Sequence, residues 1–243
     1  MRLDQMLVAR GLVPSRARAQ DLIKRGFVRV AGRVCEKPAF EVALSETLEV
    51  AEDAPHYVSR GAEKLAAALD AFGFDPNGLV ALDVGASTGG FTQVLLERGA
   101  ERVYAVDVGT AQLHEDLRNN SRVTSIENCD ARMLSRDVVP SHVACIVIDV
   151  SFISVTKVLG SVLPLASPDA WLVILVKPQF EVGRERIGGG GIVRDEAARR
   201  VAVDAVRGWL ETQAGWRIVG EMISPITGGS GNVEYLIGAH RDV

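Results

Sequence analysis

Between residues 79 and 177 the chain alternates apolar runs with segments of helical periodicity. The apolar runs have strand length and lie at residues 79–83, 103–107, 144–149 and 171–177. The helical segments between them lie near residues 90–98, 111–118 and 154–162. Continuously apolar strands that alternate with helices predict an α/β domain, a mostly parallel Rossmann-like sheet with helices on both faces.

Further elements flank this core. A helix over residues 61–72 precedes it, and a helix over residues 195–213 follows it. The last two strand-like runs, at 216–222 and 233–239, predict an antiparallel edge on the sheet. Segment 181–194 contains four consecutive glycines and fits neither helix nor strand, so we interpret it as a mobile loop beside the site or as a plain surface loop.

The first 48 residues follow a different pattern. Apolar positions predict a short helix that ends at Gly11 and a second helix over residues 16–25, with Ser15 as its N-cap and Gly26 at its end. Short strand signals follow at residues 27–30, 33–34 and 47–50. We therefore predict a small α+β domain over residues 1–48, a linker over 49–58 and the α/β domain over 59–243.

Charge is distributed unevenly between these two domains. Residues 1–40 carry nine Lys and Arg against three acidic residues, whereas residues 41–243 carry 18 against 28. A basic segment on an acidic body predicts a polyanionic partner such as nucleic acid, with a merely solvated helix face as the alternative. The candidate phosphate contacts are Arg2 and the basic residues that the pattern places on the outer surface or the end of the second helix, Arg16, Arg18, Lys24 and Arg25.

Three motifs in this basic segment resemble those of the S4-type RNA-binding domain. They are Arg2-Leu-Asp-x-x-Leu, Ser15-Arg-x-x-Ala-x-x-Leu-Ile and Gly26-x-Val-x-Val-x-Gly. The resemblance implies that residues 1–48 bind RNA largely through its backbone and shape.

Overall composition excludes several classes of protein. Of the 243 residues, 47% are hydrophobic and 24% are charged, which is typical of a folded globular chain. The longest unbroken apolar stretch, residues 170–176, is too short to span a membrane, and the first residues lack the apolar run of a secretory signal. Three scattered cysteines indicate neither a disulfide framework nor a zinc site. We therefore expect a cytoplasmic protein with no membrane or metal requirement.

A glycine-rich segment over residues 83–92 follows the first strand of the α/β domain and opens a helix. Its spacing, Gly85-x-x-x-Gly89-Gly90, differs from the GxGxxG of dinucleotide-binding folds and lacks the GK[ST] of a phosphate loop. Asp107 ends the next strand, where an acid bonds the hydroxyls of a cofactor ribose, and Asp130 follows a third strand. A purely structural turn is the alternative.

This arrangement resembles that of S-adenosylmethionine-dependent methyltransferases, which implies S-adenosylmethionine as the cofactor. The residues that the resemblance assigns to cofactor binding are Asp83, Gly85, Ala86, Ser87, Gly89, Gly90, Phe91, Asp107 and Asp130.

Four ionisable residues stand out in the α/β domain, three at the ends of strands and one in its first helix. Asp149 and Lys177 each end an apolar strand, Lys64 lies in the helix over residues 61–72, and Glu234 opens the last strand. Such groups are costly to bury unless they are paired, so structural ion pairs are one interpretation. Together, however, they resemble the Lys-Asp-Lys-Glu tetrad of FtsJ-type RNA ribose 2′-O-methyltransferases, which implies a catalytic role for all four.

Longer motifs resemble those of the TlyA family, also called hemolysin A. They are Ser59-Arg-Gly-Ala-x-Lys-Leu, Asp83-x-Gly-Ala-Ser-Thr-Gly-Gly-Phe-Thr, Asp149-x-Ser-Phe-Ile-Ser, Val176-Lys-Pro-Gln-Phe-Glu and Ser230-Gly-Asn-Val-Glu-Tyr. Proteins of this family join an S4 domain to an FtsJ-like domain. The resemblance implies 2′-O-methylation of a ribose, with cytidine as the target nucleoside, in ribosomal RNA or ribosomal subunits.

Methyl transfer to a ribose requires a deprotonated 2′-hydroxyl in line with the methyl donor. A lysine acts as the base near neutral pH only when burial or a second cation disfavours its ammonium form. We hypothesise that Lys177 accepts the proton and that Lys64 supplies the second cation. In this hypothesis Asp149 orients both amines, and Glu234 positions Lys64 or the ribose.

Two other classes of function remain open from the sequence. The glycine spacing disfavours a nucleotide-dependent oxidoreductase, and the intact tetrad disfavours a non-catalytic RNA-binding or ribosome-assembly protein with a relic cofactor site. Some side chains stay unassigned. Asn232 either bonds the ribose or supports its turn, and Phe152 and Phe180 either pack in the core or stack on a base.

Overall fold

The computed structural model describes residues 1–242 apart from the side chain of Arg184, so Val243, the end of the predicted second domain, lies outside the described residues. The chain divides into two compact units, Met1–Ser59 and Arg60–Val243.

The first unit packs two helices against a small antiparallel sheet. Its elements are α1 (Leu3–Ala9), α2 (Arg16–Lys24), β1 (Val28–Val30), β2 (Arg33–Val34) and β3 (Leu48–Val50). The sheet order is β2-β1-β3, and the turn at Ala31 and Gly32 has positive φ at both positions, as a two-residue hairpin of type I′ requires. Val50 pairs with Val28, so β3 extends into the segment predicted as a linker.

Helix α2 begins where the sequence predicts and ends one residue earlier, with Arg25 as its C-cap. The Ser15 hydroxyl accepts a hydrogen bond from the backbone N–H of Arg18 at 3.2 Å, which caps the helix start. The apolar positions Leu22 and Ile23 are buried in a core that they share with α1 and β1. The hydrophobic stripe of α2 therefore decides which of its basic residues face outward.

The second unit is an α/β layer structure. Its helices are α3 (Gly61–Phe72), α4 (Gly90–Glu97), α5 (Glu115–Arg118), α6 (Thr156–Val162), α7 (Pro178–Glu181) and α8 (Glu196–Glu211). Its strands are β4 (Val80–Val84), β5 (Arg102–Val106), β6 (Val123–Ile126), β7 (Val143–Ile148), β8 (Ala166–Val176), β9 (Trp216–Ile223) and β10 (Tyr235–Arg241).

These strands form one sheet in the order β6-β5-β4-β7-β8-β10-β9. The pairs from β6 to β8 are parallel, and β10 runs antiparallel to both β8 and β9. The predicted mostly parallel sheet with an antiparallel edge is confirmed. The sequence analysis assumed a strand before Asp130 but gave no bounds for it, because the four residues of β6, Val-Thr-Ser-Ile, are only half-buried at the edge of the sheet.

Helices cover both faces of this sheet. Apolar side chains of α6 and α8 pack on one face in a cluster that includes Ile237 and Ala239 of β10. Gly238, between them, turns to the opposite face, where the ring of Phe72 from α3 approaches it so closely that no Cβ fits. Because both faces are covered, the strands are buried and continuously apolar, and polar groups concentrate at their ends.

Two predicted segments differ in part from the structure. The helix expected over residues 111–118 is only α5, because Ala111 has positive φ and His114, which caps the helix, is extended with ψ of 142°. The segment 181–194, predicted as a loop, forms neither an α-helix nor a strand after Glu181, the last residue of α7. It contains 3-10 turns at Arg184–Arg186 and Gly189–Gly191, and a bridge joins Gly188 to Ile192.

Candidate functional site

The glycine-rich loop lies against the end of the neighbouring strand. Gly85 follows β4 with φ of +85°, and a Cβ on it would lie 2.5 Å from the carbonyl oxygen of Asp149. The backbone N–H groups of Gly85 and Ala86 both donate to the carbonyl oxygen of Val106, at 2.8 and 3.0 Å. Only glycine permits this backbone conformation and this approach, so the loop forms a cradle between the ends of β4, β5 and β7.

Asp107 holds the same loop from the end of β5. Its carboxylate accepts hydrogen bonds from the backbone N–H groups of Ser87 at 2.8 Å and Gly109 at 2.7 Å. The half-buried carboxylate keeps further lone pairs, and it stands where the sequence analysis expects an acid for the ribose hydroxyls.

Asp83 is fully buried one residue before the end of β4. The Thr92 hydroxyl donates to its Oδ2 at 2.6 Å, and its Oδ1 has no hydrogen-bond partner among the described residues. Burial raises the pKa of the Asp83 carboxyl to about 7, and the negative charges of Asp149 and Asp107 add to that rise. Phe91 is also buried, at the start of α4, so both side chains support the loop from within. A direct contact of either one with a cofactor stays a prediction.

Asp130 is bound by a neighbouring arginine. The Arg132 guanidinium donates hydrogen bonds to the Asp130 carboxylate, the shortest at 2.5 Å. This hydrogen bonding lowers the pKa of Asp130 to about 2. Asp130 is therefore ionised, and a ligand that bonds its carboxylate has to share it with Arg132.

An open cleft of about 1110 Å³ runs along the carboxyl ends of these strands. Gly85, Ser87, Asp107 and Asp130 line it on the side of β4, β5 and β6, whereas Asp149, which follows β7, lies in its middle. The residues that line it from the segments after β7 and β8 include Ser151, Phe152, Gln179 and Phe180. The remaining residues predicted to bind the cofactor, Ala86, Gly89 and Gly90, belong to the same loop but are buried.

The four tetrad residues form two ion pairs. Lys64 Nζ lies 2.5 Å from Glu234 Oε2, with both side chains more than nine-tenths buried. Lys177 Nζ lies 2.6 Å from Asp149 Oδ1 and donates a hydrogen bond to the Ser151 hydroxyl at 2.8 Å. The Asp149 contact is an ion pair without the alignment of a hydrogen bond, since Asp149 Oδ1 accepts none.

The sheet brings the two pairs together. Tyr235 of β10 is registered opposite Val176 of β8, so the preceding Glu234 stands beside Lys177, the residue after Val176. The sequence hypothesis that Asp149 orients both amines differs from this structure, in which each lysine has its own carboxylate. Glu234 contacts Lys64, as one of its two hypothesised roles requires.

Asn232 supports the loops around Glu234. Its amide is buried, accepts a hydrogen bond from the Val193 N–H and donates one to the Gly191 carbonyl, both at 2.9 Å. Both ends of the amide are therefore engaged, one with the last glycine of the tetraglycine segment and one with Val193 just after it, which favours the supporting role over a ribose contact.

Several residues near the site carry no role in the sequence analysis. Gln179 and Ser151 line the cleft, and Glu181 accepts hydrogen bonds from the Ser154 hydroxyl and the Val155 N–H. All of these residues lie inside the motifs 149–154 and 176–181, so their place in these motifs is the sequence feature that could have identified them. Phe152 has φ of +65°, is 91% exposed and lies 5.1 Å from the Phe180 ring between centroids, so core packing does not apply to Phe152.

In the first unit, the buried carboxylate of Asp4 organises two predicted RNA contacts. It binds the guanidinium groups of Arg2 at 3.0 Å and Arg16 at 2.9 Å and also accepts from the Gln20 amide. The side chains of Arg2 and Arg16 remain 40% and 51% exposed.

Arg18 differs from its sequence prediction. We expected it on the outer surface of α2, but it is buried, because its guanidinium binds the carboxylate of Asp21 and the carbonyl of Pro55. Lys24 and Arg25 are exposed, with Arg25 also 3.5 Å from Asp21.

Neither a metal cluster nor a membrane-spanning helix stands out in residues 1–242. No group of three or more His, Cys, Asp or Glu side chains within that range is arranged to hold a metal ion. None of the helices described there has the length and apolar character to cross a bilayer.

Two family models match the chain. The S4 domain matches residues 1–48, and the FtsJ-like methyltransferase matches residues 57–241.

Full-length relatives match nearly all of the chain. It is 47% identical over 237 residues to the 16S/23S rRNA (cytidine-2′-O)-methyltransferase TlyA of Mycobacterium tuberculosis, covering 97% of this chain and 88% of that protein. It is 40% identical to Hemolysin A of Brachyspira hyodysenteriae, covering 97% and 98%. A solved structure described as a hemolysin, from Streptococcus thermophilus, superposes with a TM-score of 0.78 at 36% identity, covering 100% of this chain and 88% of that one.

Proposed function

The chain belongs to the TlyA family, in which an S4 domain precedes an FtsJ-like methyltransferase domain, and we propose that it 2′-O-methylates a cytidine ribose in ribosomal RNA with S-adenosylmethionine as the methyl donor. The observation that carries this function is the Lys177–Asp149 ion pair, which adjoins the glycine cradle because Gly85 packs against the backbone of Asp149. Because Lys177 and the glycine cradle adjoin at the same edge of the sheet, Lys177 is suited to remove the proton of a 2′-hydroxyl beside a methyl donor bound in the cradle.

The residues of the cradle fit S-adenosylmethionine. Gly85 leaves open the space that a Cβ would fill, and the Asp107 carboxylate suits the hydroxyls of a ribose. Asp130 provides a second carboxylate on the same side of the cleft. When bound, the cofactor supplies an electrophilic methyl group.

Lys177 is the residue to which we assign the proton of the 2′-hydroxyl. Its amine is held by Asp149 and by Ser151, both of which line the cleft. These two contacts fix the position of the amine, and general-base catalysis requires such a fixed approach to the hydroxyl.

Lys64 and Glu234 act as the support of this base. Their buried ion pair fixes Glu234, just before the start of β10, beside Lys177. We assign Lys64 the role of the second cation near Lys177, and we assign Glu234 the role of holding Lys64 in place.

The first unit supplies the affinity for RNA. Arg2, Arg16, Lys24 and Arg25 present cationic groups at its surface, and phosphate contacts dominate such binding. We place the reaction in the cytoplasm, on ribosomal RNA within ribosomal subunits, since that is where this substrate is found.

Product analysis tests this function. The protein is incubated with ribosomal subunits and a donor that carries an isotopically labelled methyl group, and the RNA is then digested to nucleosides for mass spectrometry. Labelled 2′-O-methylcytidine is the expected product. A label on the base would overturn the assignment, and RNA binding without transfer would instead identify a non-catalytic RNA-binding protein.

A further inference from the structure

Glu181 connects the segment that carries the proposed base to the loop that carries the partners of that base. It is the last residue of α7, the helix that begins directly after Lys177. Its half-buried carboxylate accepts hydrogen bonds from the Ser154 hydroxyl at 2.6 Å and from the Val155 N–H at 2.9 Å. Both carboxylate oxygens therefore hold the far end of the loop between β7 and α6, residues 149–155.

This loop supplies the Asp149 and Ser151 contacts of the Lys177 amine. Asp149 stands at the start of the loop, where its backbone N–H donates to the carbonyl oxygen of Val84 in β4 at 2.9 Å. Ser151 lies two residues further along, beyond the end of the strand. The sheet therefore fixes Asp149, whereas the position of Ser151 depends on how the other end of the loop is held.

The loop needs such a restraint because part of its backbone is strained. Phe152, which follows Ser151, has φ of +65°, and its side chain is 91% exposed, so burial of the ring does not compensate for the strain. A non-glycine residue keeps this conformation only where the surrounding structure enforces it. The hydrogen bonds from Ser154 and Val155 to Glu181, just beyond Phe152, contribute that restraint.

We infer that Glu181 is a positioning residue for Lys177. It holds the loop that carries Ser151 against the helix that begins after Lys177, so the hydroxyl and the amine keep their contact of 2.8 Å. A displacement of about 1 Å in an active site costs up to about 100-fold in rate. This inference rests on the proposed function, because it takes Lys177 to receive the proton of the 2′-hydroxyl.

The test measures the single-turnover rate of methyl transfer to ribosomal subunits, with subunits and S-adenosylmethionine both saturating. We expect Glu181→Ala to lower this rate about 10- to 100-fold, because the loop loses both hydrogen bonds. Glu181→Gln keeps an acceptor for the Val155 N–H and a polar group beside the Ser154 hydroxyl, so it is expected to recover most of the rate. A wild-type rate in Glu181→Ala, or a rate in Glu181→Gln as low as in Glu181→Ala, would overturn the inference.

A double-variant cycle separates positioning from support of the fold. Because Glu181 is inferred to act through Ser151, the double variant Glu181→Ala/Ser151→Ala is expected to be about as slow as the slower of the two single variants. The affinities of Glu181→Ala for S-adenosylhomocysteine and for ribosomal subunits are expected to equal those of the wild type. Rate losses that multiply in the double variant, or affinities that fall as far as the rate, would show a purely structural role and overturn the inference.

Asp195 provides a matched control for the loss of a carboxylate at a helix start. Its side chain accepts a hydrogen bond from the Ala197 N–H at 3.1 Å and caps α8, much as Glu181 binds the N–H of Val155 at the start of α6. Asp195→Ala is expected to lower the stability of the second unit without slowing methyl transfer. An equal slowing in Asp195→Ala would contradict a specific role of Glu181.

The failure of this inference is distinguishable from the failure of the proposed function. An unchanged rate in Glu181→Ala overturns the role of Glu181 alone, since the wild type still transfers the methyl group. A wild-type protein that transfers no methyl group to ribosomal RNA overturns the proposed function and the role of Glu181 with it.

Discussion

Lys64 and Glu234 are almost completely buried, so each depends on the other for compensation of its charge. The Coulombic gain of such a pair is largely offset by the desolvation of both ions, whereas the loss of one partner leaves an uncompensated charge inside the protein. The Lys64–Glu234 pair therefore affects the stability of the fold, and this effect can be measured separately from catalysis.

We expect Lys64→Met to lower the free energy of unfolding by about 3–5 kcal/mol, because it leaves the Glu234 carboxylate buried and unpaired. The double variant Lys64→Met/Glu234→Leu is expected to recover most of that loss while methyl transfer stays abolished. Urea denaturation of the single and double variants measures both effects. Additive losses in the double variant would show that the two residues are not energetically coupled.

Asp83 makes the stability of the second unit depend on pH. Burial raises the pKa of its carboxyl from the ordinary 3.8 to about 7, so between these values the folded chain keeps a proton that the unfolded chain releases. Folding is therefore favoured at the lower end of this window, and up to about 4 kcal/mol is lost as the pH rises through the folded pKa.

Asp83→Asn is expected to remove this dependence, because the amide does not titrate. The measurement is the free energy of unfolding of both proteins at pH 5 and pH 8. The difference between the variant and the wild type is expected to change with pH in favour of the variant at pH 8. An equal pH dependence in the two proteins would contradict the assignment.

At the scale of single elements, the glycine loop depends on the close approach of the Gly85 backbone to the end of β7. Gly85→Ala introduces a Cβ 2.5 Å from the Asp149 carbonyl oxygen, so the loop has to move away from the end of β7. Gly78 has a similar positive φ of +71° with open space around its Cβ position, and Gly78→Ala therefore reproduces the backbone strain without the contact.

Calorimetric titration with S-adenosylhomocysteine is expected to show at least about a tenfold loss of affinity for Gly85→Ala, equivalent to 1.4 kcal/mol. Gly78→Ala is expected to bind normally and to lose about 1–2 kcal/mol of stability. Equal affinities of the two variants would mean that the loop does not hold the cofactor.

The elements that the sequence predicts well are those whose burial is uniform. Strands β4, β5, β7 and β8 are buried on both faces and read as continuous apolar runs, whereas half-buried β6 has no such signal. Arg18 was misplaced because its partner, the Pro55 carbonyl, is 37 residues away in the chain and has no local signature.

The site shows the same division. Motifs in the chain identify the tetrad and the glycine loop through their resemblance to known families, although Lys64 lies within α3 and only the other members stand at or beside strand ends. Which lysine pairs with which carboxylate depends on the insertion of β10 beside β8, which has no local signature in the sequence.

At the scale of the whole molecule, the excess of basic residues lies in residues 1–40, with nine Lys and Arg against three acidic residues, and residues 41–243 carry an acidic excess of 28 against 18. RNA affinity is therefore expected to depend on exposed cations of the first unit and to fall with salt. Lys24 is exposed on α2, whereas Arg18 of the same helix is buried.

We expect Lys24→Ala to weaken binding to ribosomal RNA and to lower the slope of log affinity against log salt by about one, with unchanged stability. Arg18→Ala is expected instead to destabilise the first unit, because it breaks buried contacts. Salt titrations of RNA binding and thermal unfolding of both variants measure this. A reduced salt slope for Arg18→Ala at unchanged stability would contradict the structural role of Arg18.

The account as a whole depends on Lys177 as the group that receives the ribose proton. Lys177→Arg keeps a cation beside Asp149 but removes a base that can function near neutral pH, and Lys177→Ala removes both. The most direct measurement is the single-turnover rate of methyl transfer to ribosomal RNA by both variants, with S-adenosylhomocysteine affinity measured in parallel. We predict rates about 10²- to 10⁴-fold below the wild type in both, with cofactor affinity preserved. A rate in either variant close to that of the wild type would contradict the account.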